Sequence, residues 1–154
     1  VVRPRDIFDN AQPCGGSVAA DVLLRLSIIT GNEDYISKAS TSMRGLHQLM
    51  ARAPGGTAHW LSALDSYVNA PKEIAIIGTG NNIETQTFKN IVFETYVPNK
   101  VLVGKNKNDQ GIDSPLLRDR DTDGESPVAY VCQNYTCQYP ARDTATFTEQ
   151  LKNH

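Results

Sequence analysis

Apolar residues crowd the segment from Ser17 to Ile29: Val18, Val22 and Ile29 fall on one line with Arg25, while Leu23, Leu24, Leu26 and Ile28 occupy most of the remaining circumference. A helix apolar on most sides is buried between neighbours, so this one is expected to lie inside a helical layer. Thr30-Gly31-Asn32 stops it, and Asn32 is placed to cap the next helix with Glu33 and Asp34 at its positive end. That second helix carries Ile36, Ala39, Met43, Leu46, Met50 and Ala53 at alternating steps of three and four residues, which makes one continuous stripe. Pro54-Gly55-Gly56 breaks it. A third helix begins near Thr57, presents Trp60, Leu61, Leu64, Tyr67 and Val68, and is closed by Pro71. Three helices with short connections form antiparallel hairpins, yet these cannot enclose the first helix unaided, which predicts further helices upstream.

The period changes at Lys72. Glu73-Ile74-Ala75-Ile76-Ile77 is a short apolar run ending in Gly78 and reads as a buried strand. Thr79-Gly80-Asn81-Asn82 is a turn and cap; Phe88, Ile91, Val92 and Tyr96 form a helical stripe that Pro98 ends; Val101-Leu102-Val103 is a second strand. Strand, helix and strand at this spacing predict a right-handed crossover with parallel strands. Lys105 to Ser114 is polar and rich in turn formers, Ser114-Pro115 opens a short helix through Leu116 and Leu117, Val128-Ala129-Tyr130-Val131 is a third strand, and Asp143 or Thr144 caps a terminal helix carrying Phe147 and Leu151. The expected fold is α+β: a helical segment over residues 1–70, then a small parallel α/β unit over residues 71–154.

A 40% hydrophobic content over 154 residues suits a folded chain with one core or two small ones. Fifteen basic and 17 acidic residues, net −2, give no electrostatic footprint for nucleic acid or anionic lipid, and neither partner is expected. No apolar run approaches bilayer length, and VVRPRDIFDN lacks the charged start and apolar centre of a signal peptide, so a cytoplasmic location is expected. The missing initiator Met fits a piece of a longer protein. Three cysteines cannot all pair within one chain, and free thiols are the expectation in a reducing compartment. The sequon Asn134-Tyr135-Thr136 has meaning only in a secreted chain.

Four stretches carry a family resemblance: Asn10-Ala11-Gln12-Pro13-Cys14-Gly15-Gly16-Ser17-Val18-Ala19-Ala20, Leu23-Leu24-Arg25-Leu26, Ala63-Leu64-Asp65, and Ala129-Tyr130-Val131-Cys132-Gln133-Asn134-Tyr135-Thr136-Cys137-Gln138. Pro71-Lys72-Glu73-Ile74, Val97-Pro98-Asn99-Lys100-Val101 and Pro115-Leu116-Leu117 fit the same pattern. Together they resemble the C-terminal end of the thioredoxin-domain-containing, spermatogenesis-associated protein family. The resemblance implies an upstream thioredoxin-like domain as partner. It also implies an α/α toroid, similar to those of N-acylglucosamine 2-epimerases and six-hairpin glycosidases, whose last hairpins are residues 1–70. This chain has Cys14 and Gly16 where the commonest form of the first motif has Ser and Asn.

Loops entering the inner helices of such toroids line a cavity, so Asp9, Asn10, Gln12 and Ser17 are candidates to hydrogen-bond a sugar-like ligand. The competing expectation is a tight turn shaped by Pro13, Gly15 and Gly16, with Ser17 as helix cap. A glycosidase needs two opposed carboxylates; Asp9 is the single cavity candidate and Asp65 reads as a helix-surface residue, so any catalytic set must include residues outside this chain. Cys132 and Cys137, with four residues between them, could be a disulfide, a redox pair or merely buried small residues; without a second pair they do not complete a zinc site, and no metal or other cofactor is expected. Asp119 to Glu125 imitates the start of a calcium loop, but Tyr130 stands where the bidentate carboxylate belongs. Gly78-Thr79-Gly80 resembles a dinucleotide turn with Ile83 in place of the third Gly. His47 and His59 lie on separate helices without a ligand partner. The function expected first is that of a piece of a sugar-enzyme-like architecture; the alternatives are a structural module docking on the thioredoxin-like domain and a redox accessory through Cys132 and Cys137. Self-association through the first helix is a further expectation.

Overall fold

The computed structural model describes residues 6–80, 82–107, 113–122, 124, 126–134 and 136–153. Asn81 of the first turn, Asp123 and Glu125 of the acidic stretch, Tyr135 of the sequon, and the terminal His154 lie outside the described residues. The chain divides after Asn69 into two compact units.

The first unit contains helices α1 (Gly15–Thr30), α2 (Glu33–Gly45), α3 (His47–Arg52) and α4 (Ala58–Val68), with a single 3-10 turn at Pro54–Gly56. Gly31 at φ 70° closes α1 in the left-handed conformation that glycine adopts without steric cost, and Asn32 caps α2 by accepting from the Asp34 N–H. Cys14, Ala20, Leu24, Ala39, Met43, Met50, Trp60 and Ala63 make the core. Two sequence expectations are corrected here. The continuous second helix is broken at Leu46, whose N–H turns back to the Met43 carbonyl directly after Gly45, the poorest helix former in the run. And α1 is not buried all round: Ser17, Ala20 and Leu24 are its buried residues, while Val18 and Val22 stand 41% and 45% exposed, because α1 packs chiefly on α2 and α4.

The second unit holds β1 (Lys72–Gly78), α5 (Ile83–Glu94), β2 (Lys100–Asn106), β3 (Val128–Gln133), β4 (Thr136–Cys137) and α6 (Thr144–Lys152), with strand order β2-β1-β3-β4. Asn82 and Asp143 cap the two helices through side-chain acceptors. β1 and β2 are parallel, joined by α5 as the crossover. The wholly parallel sheet expected from sequence is corrected, because β3 runs antiparallel to β1, from Ile77 opposite Val128 to Glu73 opposite Cys132. A third parallel strand would need a helix-length crossover, whereas Pro115 to Asp119 forms only a turn, so β3 starts at the sheet end where β2 stops. The expected helix at Leu116 and Leu117 is that turn. Tyr96 is also corrected: α5 ends at Glu94 and Tyr96 is 89% exposed.

One sheet face, through Ile74, Ile76, Ala129 and Val131, packs on Phe88 and Val92 of α5 and on Phe147 and Leu151 of α6. The Phe88 and Phe147 rings stack at 5.1 Å. The other face, through Ala75 and Ile77, is covered by Leu117. No helix among the described residues is long and apolar enough to cross a membrane.

Candidate functional site

In the first unit the chemistry gathers on Asp9, which is 7% exposed. Its Oδ1 accepts from the Cys14 N–H at 2.9 Å and the Ser17 hydroxyl at 2.6 Å, and its Oδ2 accepts from the His59 and Trp60 N–H groups at 2.9 and 3.3 Å. One carboxylate therefore serves the start of α1 and, from 50 residues away, the start of α4, where Thr57 contributes no side-chain cap. Burial pushes this carboxyl up, but the hydrogen bonds, that of Ser17 foremost, outweigh it and hold the group below its ordinary value. The expected cap at Ser17 is corrected: Cys14 is the N-cap, its thiol accepting from the Ser17 N–H at 3.4 Å. Ser17 itself is fully buried, whereas Asn10 and Gln12 are exposed. Gly16 has a reason of its own, since a Cβ there would lie 2.8 Å from Cζ2 of the buried Trp60 ring.

In the second unit the free thiols expected by default give way to one of the alternatives that the spacing left open. Cys132 and Cys137 form a disulfide, and Cys14 remains free and buried. The hairpin explains it: Gln133 pairs with Thr136, which sets Cys132 directly opposite Cys137. Asn134 at φ 52° makes the left-handed corner. Cys132 is 3% exposed and Cys137 lies open to solvent. Over the pair sits Arg120, its Nη2 3.0 Å from Cys132 Sγ and 3.4 Å from Cys137 Sγ. The guanidinium carbon lies 5.3 Å from the centre of the Tyr130 ring, whose hydroxyl donates to the Asp121 carbonyl at 2.7 Å. Burial pulls Arg120 down while Glu73 and Tyr130 support its charge; burial pushes Glu73 up, and Arg120 opposes that. Nη1 of Arg120 has no partner among the described residues.

Sequence reasoning passed over Arg120. It stands inside an acidic run scanned for calcium ligands, and the one available signal was a lone cation between Asp119 and Asp121. His47 bonds the Arg44 carbonyl through Nδ1, His59 uses its backbone on Asp9, and Asp65 accepts from Asn69 one turn on. Among the described residues no group of three or more His, Cys, Asp or Glu could hold a metal ion.

The chain is 30% identical over 153 residues to human spermatogenesis-associated protein 20, a match covering 97% of this chain and 20% of that protein. It is a homologue of one part of the spermatogenesis-associated protein 20 sequences. The rat protein of that name is 28% identical over 97% of this chain and 19% of its own length, and an uncharacterised protein of Caenorhabditis elegans is 22% identical over 92% and 19%. The chain thus spans about one fifth of the length of the spermatogenesis-associated relatives it matches. No family model and no solved structure matches it.

Proposed function

We infer that this region serves a larger protein as a thiol–disulfide exchange module built on Cys132 and Cys137. The observation that carries the reading is Arg120, whose guanidinium reaches both sulfurs. A disulfide sulfur is a weak acceptor and gains little from a cation, whereas a thiolate gains much, so the arrangement favours the reduced pair. A dithiol partner is required, and the thioredoxin-like domain implied by the family resemblance is of that class.

In the forward step a partner thiolate attacks the exposed Sγ of Cys137. The Cys132–Cys137 bond breaks, its electron pair leaves on Cys132 Sγ, and Arg120 neutralises the charge. The partner's second thiolate then attacks its own sulfur in the mixed disulfide and releases Cys137. Two electrons have passed to this chain, the partner holds a disulfide, and the two protons of the partner thiols are left for Cys132, Cys137 or solvent. Run backwards, the same steps oxidise the pair. The sugar-ligand reading has less behind it, because Asp9 and Ser17 are bonded to each other and to helix starts, which leaves Asn10 and Gln12 to meet a hydroxyl.

The test is equilibration of the native chain in glutathione buffers of graded ratio, followed by alkylation and mass spectrometry, with Arg120→Gln alongside. The pair should reduce without denaturant, and Arg120→Gln should move its alkylation to higher pH. A disulfide that opens only in denaturant, or an alkylation profile unmoved by the substitution, would sink the proposal.

A further inference from the structure

On the helix-covered face of the sheet, α5 lies over β1 and α6 packs on β3, while β2 is the edge strand. The strip between α5 and β2 is left as a groove of about 600 Å³, within the size range of small-molecule sites. Three lines of residues build it: Ile76 and Gly78 on β1, Leu102, Gly104 and Asn106 on β2, and Thr85, Lys89 and Phe93 at successive turns of α5. It opens toward the carboxyl ends of the two parallel strands, where open α/β sheets take their ligands.

Thr85 lines this groove, is 3% exposed, and its Oγ1 has no hydrogen-bond partner among the described residues. An unpaired buried hydroxyl costs about 1–3 kcal/mol, a standing incentive for an acceptor to enter. Gly78 lets Thr85 pack close on the strand, since a Cβ there would stand 2.5 Å from Thr85 Oγ1, and Gly104 offers no side chain at the strand edge. Lys89, one turn further along α5, is half-buried and makes no hydrogen bond or ion pair with the described residues. No carboxylate among the described residues lines the groove. Lys105 reaches the Leu117 carbonyl instead, so Lys89 is the cation available to a ligand. Of the remaining wall, Asn106 is polar, while Ile76, Leu102 and the 71% exposed ring of Phe93 are apolar.

The geometry points to a binding site for a small organic monocarboxylate with an apolar or aromatic body, its carboxylate accepting from Thr85 Oγ1 and Lys89 Nζ and its body lying along Leu102 and Phe93. One cation matches a single negative charge better than the double charge of a phosphate monoester. The site is separate from the disulfide and stands whether or not the redox reading holds.

Phenylacetate is the probe, titrated into the isotope-labelled full chain and followed by amide chemical shifts, with 2-phenylethanol and phenyl phosphate as comparators. Saturable millimolar binding is expected, with shifts concentrated at Gly78, Thr85, Lys89 and Leu102 to Asn106. Lys89→Met and Thr85→Val should each weaken it by about tenfold, the loss of one hydrogen bond to a charged group. The neutral alcohol should bind more weakly. Absence of saturable shifts, binding indifferent to Lys89→Met in a variant with an unchanged spectrum elsewhere, or tighter binding of phenyl phosphate would each overturn the assignment.

Discussion

Asp9 carries a charge that burial opposes, and it survives because four donors point at it. Asn in its place offers one acceptor oxygen and confronts the other donors with an N–H₂, so Asp9→Asn should destabilise the first unit by about 2–4 kcal/mol. Trp60 is the only tryptophan and lies in that core, so urea titration of its fluorescence reads the loss directly. The pH dependence follows from the direction of the shift. A carboxyl held below its ordinary 3.8 contributes stability that is complete above that value and is lost as pH falls through the folded value. Wild-type stability should therefore drop in the acid range below about pH 4, and the slope should flatten in Asp9→Asn. Little of this was legible beforehand. Asp9 was recognisable as a special carboxylate from its place before a helix, but nothing in the sequence ties it to His59 and Trp60.

Helices and strands were largely legible as elements, since the stripes of α2 and α4 and the runs of β1 and β3 are imposed by burial on one face or two. Strand direction was not, because an apolar run such as Val128 to Val131 reads the same both ways and only the lack of a crossover helix decides. The disulfide was visible as a spacing, its pairing only through the hairpin register of Cys132 and Cys137. The groove beside α5 was invisible, since Gly78 comes opposite Asn106 and Gly104 opposite Ile76 only once the strands are in register. Two element-scale substitutions test the contacts. Gly16→Ala drives a methyl into the Trp60 ring and should cost about 1–3 kcal/mol, read again by tryptophan fluorescence. In the second unit, Lys72 is 4% exposed and its Nζ donates to the carbonyls of Gln150, Leu151 and Asn153 at 3.2, 2.8 and 2.6 Å, fastening the end of α6 to the start of β1. Lys72→Met strands those carbonyls, and a loss of about 1–3 kcal/mol in thermal melts followed by circular dichroism is expected.

For the molecule as a whole, the exposed valines of α1 bear on its behaviour in solution. Val18 and Val22 lie one turn apart, and a chain that spans about one fifth of its relatives shows this face to water here. The full chain is expected to bind a hydrophobic dye and to associate at high concentration in sedimentation. The pair Val18→Ser and Val22→Ser should reduce both while changing stability by no more than about 0.5 kcal/mol each, as exposed sites do. A stable monomer that leaves the dye dark would show that face to be harmless. The long reach of Asp9 also has a kinetic side. The bond that its Oδ2 accepts from the His59 N–H requires a loop of 50 residues to close, and such closures come after local helices form. Stopped-flow traces should then show Asp9→Asn leaving the refolding rate nearly untouched and accelerating unfolding, so that the carboxylate acts as the latch that is thrown last and released first.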